Sequence, residues 1–317
     1  MSSDSPLVSI IVPAYNYAGF VAEAIHSALQ QSHRNIEVIV VDDGSTDDTA
    51  AIVRGLTEKD TRILYVHQKN RGLSAARNTG IQHSTGEFIV LLDADDTLHP
   101  QKIQAHLEHF RQMPAMDISY GRSRYFLSGK PQATFASFEL DNQDWMPCVS
   151  GSASTVLPAL IVNNIMPVCS AMLRRSVVTR VGDFDTTLKS LEDWDYWLRA
   201  AAGQCVFGFS EDERLAAYIR VHDTSMSQNV LRMKKVQYRL RLDNIPHCVA
   251  ALPDRTLSRT LLKDNTRRRL RCLAAIARAT GIWQREFWQL CRGESPVILL
   301  KMLNRLLQSH LGSKGDE

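Results

Sequence analysis

Apolar runs rich in β-branched residues alternate with helix-like segments through the first 110 residues. The strand-like runs are residues 8–12, 36–41, 63–66 and 88–92, and the helix-like segments are residues 18–31, 47–56, 73–82 and 100–110. Each apolar run is nearly continuous, which is typical of parallel strands that are buried on both faces. The alternation therefore predicts an α/β fold with a mostly parallel sheet flanked by helices.

Acidic turns follow two of these apolar runs. Asp42 and Asp43 end the second run, and Asp93, Asp95 and Asp96 come directly after residues 88–92. Parallel sheets bind ligands beyond the carboxyl ends of their strands. We therefore expect both acidic turns to lie at one rim of the sheet.

The middle of the chain is less regular. Its spacing is consistent with strands at residues 118–126 and 166–173, a loop at residues 141–154 and a helix at residues 192–202. In the last of these segments Trp194 and Trp197 fall on the apolar face and are interpreted as core residues.

Charge is distributed unevenly along the chain. The formal net charge is +3, but residues 1–230 carry 19 Lys and Arg against 27 Asp and Glu, whereas residues 231–311 carry 17 against 5. From residue 230 onward the pattern is helical. This predicts a domain over residues 1–230 and a basic helical region over residues 231–317, whose charge suggests contact with an anionic partner.

Other features of the sequence favour the cytoplasm. No apolar stretch reaches the roughly 18–20 residues that a membrane span needs, and the first residues, MSSDSPLVSI, lack the regions of a signal peptide. The six cysteines are scattered without a CxxC pair, as expected of reduced thiols.

The segment FIVLLDADDTLHP raises the question of what neutralises its aspartates, because clustered carboxylates are rarely buried without a partner. As Asp-x-Asp, Asp93 and Asp95 could bind a divalent cation. As Asp-x-Asp-x-Thr they also match the nucleophile and acid of haloacid-dehalogenase-type phosphatases, although that motif normally lies on the first strand. A solvated turn is the third possibility.

Three further motifs are ambiguous when each is taken alone. VVDDGSTDDT is either a turn with a helix cap or a nucleoside pocket with a carboxylate acceptor. In SLEDWDYWLRA, Glu192 and Asp193 either complement a helix dipole or supply a general base, and Asp195 and Arg199 are expected to form an exposed pair. In AYIRVHD, Arg220 and His222 share a strand face that suits a diphosphate and its metal.

The order of the motifs is more specific than any one of them. VPAYN, VDDGSTD, N-x-G (Asn78 and Gly80), LLDADD, LEDWDYWLR and YIRVH resemble the motifs of glycosyltransferase family 2 over residues 8–222, about two thirds of the chain. The resemblance implies a GT-A fold, a Rossmann-like sheet flanked by helices, here followed by a helical C-terminal extension. The RVHD stretch departs mildly from the RVHP-type ending that is common in the family.

The resemblance also implies roles on the donor side of the site. Pro13, Tyr15 and Asp43 would line the nucleoside pocket. Asp93 would face the ribose or the metal, and Asp95 would bind Mg²⁺ or Mn²⁺.

The remaining roles implied by the resemblance concern catalysis and the diphosphate. Asp193 would be the catalytic base, and His222, with Arg220 nearby, would help to hold the metal and the diphosphate. The implied activity is a metal-dependent, inverting transfer from a nucleotide-diphospho-sugar, expected to be a UDP-sugar. The acceptor would be a glycan or a lipid-linked hydroxyl in surface polysaccharide or glycolipid assembly.

Two other functions stay open at this point. The first is the phosphatase that uses Asp93 and Asp95. The second is a non-catalytic protein that binds sugar nucleotides or glycans on a transferase scaffold.

The basic region over residues 231–311 lies outside the motifs of the family. Residues 296–311 are expected to form an amphipathic helix, capped by Ser295 and started by Pro296. Its apolar side would consist of Leu299, Leu303, Leu306 and Leu307. That side either packs onto the transferase domain or docks peripherally on an anionic cytoplasmic membrane face. No nucleic-acid-binding motif is recognisable, so no nucleic-acid partner is expected.

Overall fold

The computed structural model describes residues 5–222 and 229–312, with side chains described as far as residue 306. The chain divides into two compact units between Ser225 and Met226. The N-terminal unit is a mixed α/β structure, and the C-terminal unit is helical.

The first part of the N-terminal unit alternates strands and helices, as the apolar pattern predicts. Its elements are β1 (Val8–Ala14), α1 (Val21–Leu29), β2 (Ile36–Asp42), α2 (Thr49–Thr57), β3 (Ile63–His67), α3 (Leu73–His83), β4 (Phe88–Leu91), β5 (Thr97–Leu98) and α4 (Lys102–Gln112).

The second part of this unit has shorter and more varied elements. They are β6 (Ile118–Gly121), β7 (Ser123–Leu127), β8 (Thr134–Phe135), α5 (Ala153–Val162), β9 (Ala171–Arg174), α6 (Arg175–Val181), α7 (Glu192–Ala202), β10 (Phe207–Ser210) and β11 (Ala217–Val221).

The main sheet has the strand order β10-β6-β9-β4-β1-β2-β3. Strand β9 runs antiparallel to β4 and β6, and the other neighbouring strands are parallel. A smaller sheet has the order β5-β11-β7-β8. The mostly parallel α/β sheet predicted from the sequence is confirmed.

The register of the central strands brings the acidic turns together. Ala14 at the end of β1 lies opposite Asp42 at the end of β2, and Ile11 of β1 lies opposite Leu91 at the end of β4. Since all three strands are parallel, the turns that follow them meet at one edge of the sheet. The shared rim expected from the sequence is therefore present.

The N-x-G motif fixes helix α3 against this rim. A side chain on Gly80 would overlap Ile11 and contact Val41 closely, so glycine allows α3 to approach β1 and β2. The amide of Asn78 donates to the carbonyl oxygen of Phe184 at 2.9 Å and accepts from its backbone N–H at 2.8 Å. The motif thus joins α3 to the sheet and to the segment that leads to α7.

Several sequence-based expectations for the middle of the chain need correction. Residues 118–126 form two strands in different sheets, β6 and β7, instead of one. The segment 141–154 ends in helix α5, and the strand expected at 166–173 is reduced to β9 after a short 3₁₀ turn at Val168–Ser170.

Helix α7 has the bounds predicted from the sequence, and Trp194 and Trp197 are fully buried. The expectation of an exposed Asp195–Arg199 pair is wrong, because Asp195 is also buried. Helices α5 and α6 both contact α7, so its polar side is covered as well as its apolar side. The Asp195 carboxylate accepts from Nε of Arg199 at 2.8 Å inside this packing.

The C-terminal unit is built from α8 (Val230–Arg239), a π-helical turn (Leu240–Asn244), α9 (Ile245–Ala250), α10 (Arg255–Thr280), α11 (Arg285–Leu290) and α12 (Pro296–Gly312). Its core includes Tyr238, Leu273, Ile276, Phe287 and Met302. No helix among the described residues is both long and apolar enough to cross a membrane.

The apolar side of α12 faces the interior of this unit. Leu299, Leu303 and Leu306 pack against the core of the C-terminal unit itself. These leucines are thus partly covered within the C-terminal unit itself, which disfavours the stripe as a membrane-facing side. The side chain of Leu307 lies outside the described residues.

Candidate active site

An ion-paired arginine, Arg77 of α3, lies beneath the rim. Its side chain is buried, with a residue exposure of 1%. One terminal nitrogen donates to Oδ1 of Asp93 at 2.7 Å, and the other donates to Oε1 of Glu192 at the start of α7. Burial disfavours the charged form, but the carboxylates of Asp93 and Glu192 more than offset this and raise the pKa of Arg77.

Arg77 connects two motifs that are far apart in the sequence. Asp93 follows β4, and Glu192 precedes the proposed base Asp193. The guanidinium also lies over the ring of Phe184, 5.6 Å from its centroid. One planar side chain therefore sets the distance between the acidic turn and the start of α7.

Asp95 is paired with His222. The imidazole Nε2 lies 2.9 Å from Oδ2 of Asp95, and both side chains are largely buried. Burial, and secondly the charge of Asp93, raise the pKa of Asp95, while His222 opposes this shift. Burial followed by the same carboxylates also raises the pKa of Tyr17, which lies just beyond β1.

Arg220 holds the turn that carries Asp95. Its Nε donates to the carbonyl oxygen of Asp95 at 2.8 Å, and a terminal nitrogen donates to Glu23. The guanidinium lies over the ring of Phe20 and over that of Phe126, at 5.0 and 4.6 Å from their centroids. These contacts favour a role in positioning Asp95, and contact with a diphosphate stays a prediction.

Asp96, the third aspartate of the cluster, is internal. Its Oδ1 accepts from the backbone N–H of Arg220 at 2.9 Å, and its Oδ2 accepts from the thiol of Cys169 at 3.6 Å. Burial, followed by the charges of Asp95 and Asp93, raises its pKa well above the usual range. Each aspartate of FIVLLDADDTLHP thus has a partner within the chain.

Asp193 lies at the start of α7 and is partly buried. Its Oδ2 accepts from the Asn164 amide at 2.8 Å, and its Oδ1 accepts from the backbone N–H of Trp194 at 2.7 Å. Burial, and secondly the neighbouring Glu192, raise the pKa of Asp193 to about 7, while Arg77 opposes the shift. A carboxyl with this pKa can exchange a proton at neutral pH.

The backbone leading into Asp193 is constrained. Leu191, just before α7, has φ +58°, in the left-handed region that residues other than glycine rarely adopt. Two buried polar atoms nearby, Oδ1 of Asn164 and Oγ of Ser190, have no hydrogen-bond partner among the described residues. Such groups normally bond to water or a ligand.

The residues predicted for the nucleoside pocket lie at the ends of β1 and β2. Pro13 is buried within β1, and Tyr15 directly after it is exposed. Asp43 accepts from Gln68 Nε2 at 2.6 Å and from the backbone N–H groups of Arg71 and Gly72 at 2.9 and 2.7 Å. Asp43 therefore orders the loop between β3 and α3 at the rim.

The donor set for a cation is partial. Within residues 5–222 and 229–312, no group of three or more His, Cys, Asp and Glu side chains is arranged to hold a metal. Asp95 and His222 supply one carboxylate and one imidazole at adjacent positions. Mg²⁺ commonly takes one or two carboxylates and completes its shell with water and substrate phosphates, and imidazole suits transition metals, so the pair fits a site that a diphosphate completes.

The model of the family "Glycosyl transferase family 2" matches residues 9–179. This chain belongs to glycosyltransferase family 2. Its curated relatives include an uncharacterized glycosyltransferase of Rickettsia typhi, which is 31% identical over 72% of this chain and 68% of the relative. The family-2 match disfavours the phosphatase interpretation of Asp93 and Asp95.

Solved structures support the same GT-A fold. Residues 1–349 of Staphylococcus aureus TarS, in complex with UDP-GlcNAc, align with TM-score 0.66 and 18% identity over 89% of this chain and 78% of that one. The mannosyltransferase PcManGT of Pyrobaculum calidifontis, in complex with GDP-Man and Mn²⁺, aligns with TM-score 0.59 and 19% identity over 96% and 88%. At these identities the likeness concerns the fold.

Sequence reasoning missed three residues that the structure brings to this candidate site. Arg77, Asn164 and Tyr17 belong to none of the motif positions that were assigned roles. Arg77 could have been noticed as a lone charge in the small-residue stretch SAARNTG, next to Asn78. Asn164 carries no comparable signal, because only the tertiary structure brings it to Asp193.

Proposed function

We propose that this chain transfers a sugar from a nucleotide-diphospho-sugar to an acceptor hydroxyl and inverts the anomeric configuration. The observation that carries the proposal is the arrangement around Arg77. This side chain joins the acidic turn at Asp93 to the start of α7, where Asp193 has a pKa of about 7. A donor site and a general base are then held at a fixed separation.

Pro13, Tyr15 and Asp43 form the nucleoside end of the donor site in this proposal. Asp93 faces the ribose or the metal, with its side chain 31% exposed. Asp95 and His222 hold Mg²⁺ or Mn²⁺, and Arg220 fixes the Asp95 turn. When bound, the cation would neutralise the negative charge that develops on the leaving diphosphate. The Mn²⁺ and GDP-Man in PcManGT support this choice of cofactor and donor class.

Asp193 accepts the proton of the acceptor hydroxyl. The acceptor oxygen forms a bond to the anomeric carbon while the bond from that carbon to the diphosphate oxygen breaks, and the bonding electrons leave with the nucleoside diphosphate. The anomeric carbon is oxocarbenium-like in the transition state. One displacement from the opposite face inverts the configuration. The buried oxygens of Asn164 and Ser190, which have no partner among the described residues, would bond to ordered water near Asp193.

A UDP-sugar is the proposed donor, and the UDP-GlcNAc complex of TarS supports this choice. The proposed biological setting is surface polysaccharide or glycolipid assembly in the cytoplasm, with a glycan or a lipid-linked acceptor. This setting rests on the family alone.

A donor panel with a metal series tests the proposal. Thermal unfolding is measured with UDP- and GDP-sugars, each with EDTA, Mg²⁺ or Mn²⁺, since a ligand at 100 times its Kd stabilises by roughly 2.7 kcal/mol. We expect Asp95→Ala to abolish metal-dependent stabilisation by the donor and to abolish turnover. Glu58→Ala, which changes an exposed carboxylate of the same unit, is the matched control. Unchanged Mn²⁺ dependence in Asp95→Ala would remove Asp95 from the metal site.

Product stereochemistry tests the mechanism without a variant. An α-linked donor should yield a β-linked product by proton NMR, and retention would contradict a single displacement assisted by Asp193. The phosphatase interpretation would instead be supported if the unmodified protein hydrolysed a simple phosphate ester and Asp93→Asn abolished that activity.

A further inference from the structure

A row of exposed cations winds along helix α10, turning by about 40° at each step of four residues. Five of them recur at every fourth position, and the sixth follows two turns later. They are Arg255, Arg259, Lys263, Arg267, Arg271 and Arg278, and all six are exposed. Of the buried residues of the helix, Leu261, Asn265 and Ile276 lie on the side opposite the row. The helix has 26 residues, so at about 1.5 Å per residue the row extends over roughly 35 Å.

No acid of the described residues neutralises this row. Their neighbours Arg268 and Arg269 do have partners, Asp264 at 2.7 Å and Glu294 at 3.0 Å. The six residues of the row form no ion pair within the described part of the chain. Since an exposed ammonium or guanidinium is strongly solvated, the row costs little in the free protein and remains available to an external anion.

Apolar side chains are exposed beside the C-terminal end of α10. Trp283, three residues beyond the end of the helix, is 92% exposed. Trp288 is 43% exposed, and its Nε1 donates to the carbonyl oxygen of Ile282 at 2.7 Å. This bond holds the Trp288 indole against the loop that carries Trp283. A tryptophan as exposed as Trp283 is unusual, because burial of its ring would be strongly favourable.

Helix α12 adds exposed aliphatic side chains next to cations. Val297 and Leu300 are each 60% exposed, one helical turn apart. Lys301 and Arg305 lie on the same exposed side, while Ile298 and Met302 face the core. This outward side is distinct from the leucine stripe that the core already covers.

We propose that the cation row of α10, together with Trp283, Trp288, Val297 and Leu300, docks the C-terminal unit on an anionic lipid bilayer. We call this set the basic surface. The cations match the negative charge of the headgroups, and indole rings at the interface with aliphatic side chains just below it are the usual composition of peripheral membrane anchors. A nucleic acid would match the cations but offers no apolar phase for Val297 and Leu300.

The proposal goes beyond the transferase reaction, because it concerns where the chain works and uses none of the active-site residues. Its test contains no sugar donor, so its failure leaves the proposed activity untouched. The full chain is sedimented with vesicles of phosphatidylcholine, or of phosphatidylcholine mixed with phosphatidylglycerol. We expect binding to the anionic vesicles alone, and release as the salt concentration rises and shortens the Debye length.

Charge variants separate the basic surface from net charge. Lys263→Gln, Arg267→Gln and Arg271→Gln combined should weaken binding roughly 100-fold, at about 1 kcal/mol for each cation near the surface. The control combines Lys59→Gln, Arg111→Gln and Lys130→Gln, which remove three exposed cations of the N-terminal unit, and it should bind as the unmodified protein does. Equal losses in the two triple variants would overturn the proposal.

Variants of the apolar residues distinguish docking on a bilayer from binding to a polyanion such as DNA. Vesicle binding should shift the tryptophan emission to the blue, and Trp283→Phe should remove most of that shift. Val297→Ser with Leu300→Ser should weaken vesicle binding and leave binding to duplex DNA unchanged. Equal affinity for neutral vesicles, an unshifted emission, or DNA binding as tight as vesicle binding would each contradict docking on a bilayer.

Discussion

Charged residues are used in opposite ways in the two units. At the rim of the N-terminal unit, Arg77 is buried and held by two carboxylates, and Asp95 is held by His222. On α10 of the C-terminal unit, six cations are exposed and form no ion pair within the described residues. A buried charge without a partner costs several kcal/mol, whereas a solvated one costs almost nothing.

This difference explains why one unit is rich in motifs and the other is not. A buried ion pair requires particular side chains at particular positions, because an Arg-to-Lys change loses the planar fork that reaches two carboxylates. An exposed row acts through its summed field, so the positions and even the choice of Lys or Arg matter less. Specific chemistry is expected from the first arrangement and adhesion from the second.

The largest effect is expected from removing the proposed base. Asp193→Asn keeps the size of the side chain and one of the two hydrogen bonds that the carboxylate accepts, but it cannot accept a proton. Turnover should therefore drop by at least ~10²-fold, with ~10⁴-fold as the upper range for general-base loss. Donor affinity, measured by calorimetry, should stay near that of the unmodified protein.

The matched control for this variant is Asp195→Asn. Asp195 lies two residues further along α7 and is buried against Arg199. This change should lower stability without a comparable fall in turnover per folded molecule. Equal losses of donor binding and turnover in Asp193→Asn would indicate a structural role at the start of α7 instead.

A smaller but direct test of the comparison replaces one arginine in each unit. Arg77→Met leaves Asp93 and Glu192 without their cation, so the free energy of unfolding should fall by about 3–5 kcal/mol. Arg271→Met removes an exposed cation and should change the free energy of unfolding by at most about 0.5 kcal/mol.

Urea unfolding followed by circular dichroism measures both variants, with the two units allowed separate transitions. Arg77→Lys restores the charge without the fork and should fall between Arg77→Met and the unmodified chain. Similar small losses of unfolding free energy in Arg77→Met and Arg271→Met would mean that the buried charges of the rim contribute no more to stability than exposed ones.

The parts predicted correctly from sequence are those in which a local pattern has one stable solution. Short apolar runs rich in β-branched residues, such as those of β1 and β4, favour buried strands, and the order of these runs predicted the shared rim. The bounds of α7 followed from its period. The errors arose where tertiary packing decides, as at Gly121, where a side chain would collide with Leu215 and β6 gives way to β7 in another sheet.

The site shows the same division. Asp43, Asp93 and Asp95 could be placed at the rim because each follows a strand. The pairing of Asp93 with Arg77 could not be predicted, because the two lie on different elements and only the folded sheet fixes their distance. Asp195 was expected at the surface because the spacing of apolar residues in α7 is the same whether one or two neighbouring helices cover that helix.

The smallest expected effect is a difference in pH dependence between the two units. The pKa of Asp193 is raised to about 7, first by burial and then by Glu192, while Arg77, the Asn164 amide and the Trp194 N–H oppose the shift. A base is active when deprotonated, so turnover should reach a plateau above about pH 8 and fall roughly tenfold for each unit below pH 7. Asn164→Ala removes a hydrogen bond that favours the carboxylate. The fall in turnover should then begin at a higher pH.

Binding of the basic surface to anionic vesicles should not change over the same range, because no histidine or carboxylate belongs to that surface. Measuring turnover and vesicle sedimentation from pH 6 to 8.5 in one buffer series tests both expectations together. Turnover that is flat across this range would remove Asp193 as the titrating base. A parallel loss of vesicle binding below pH 7 would mean that a titrating group, and not the arginine row, controls attachment.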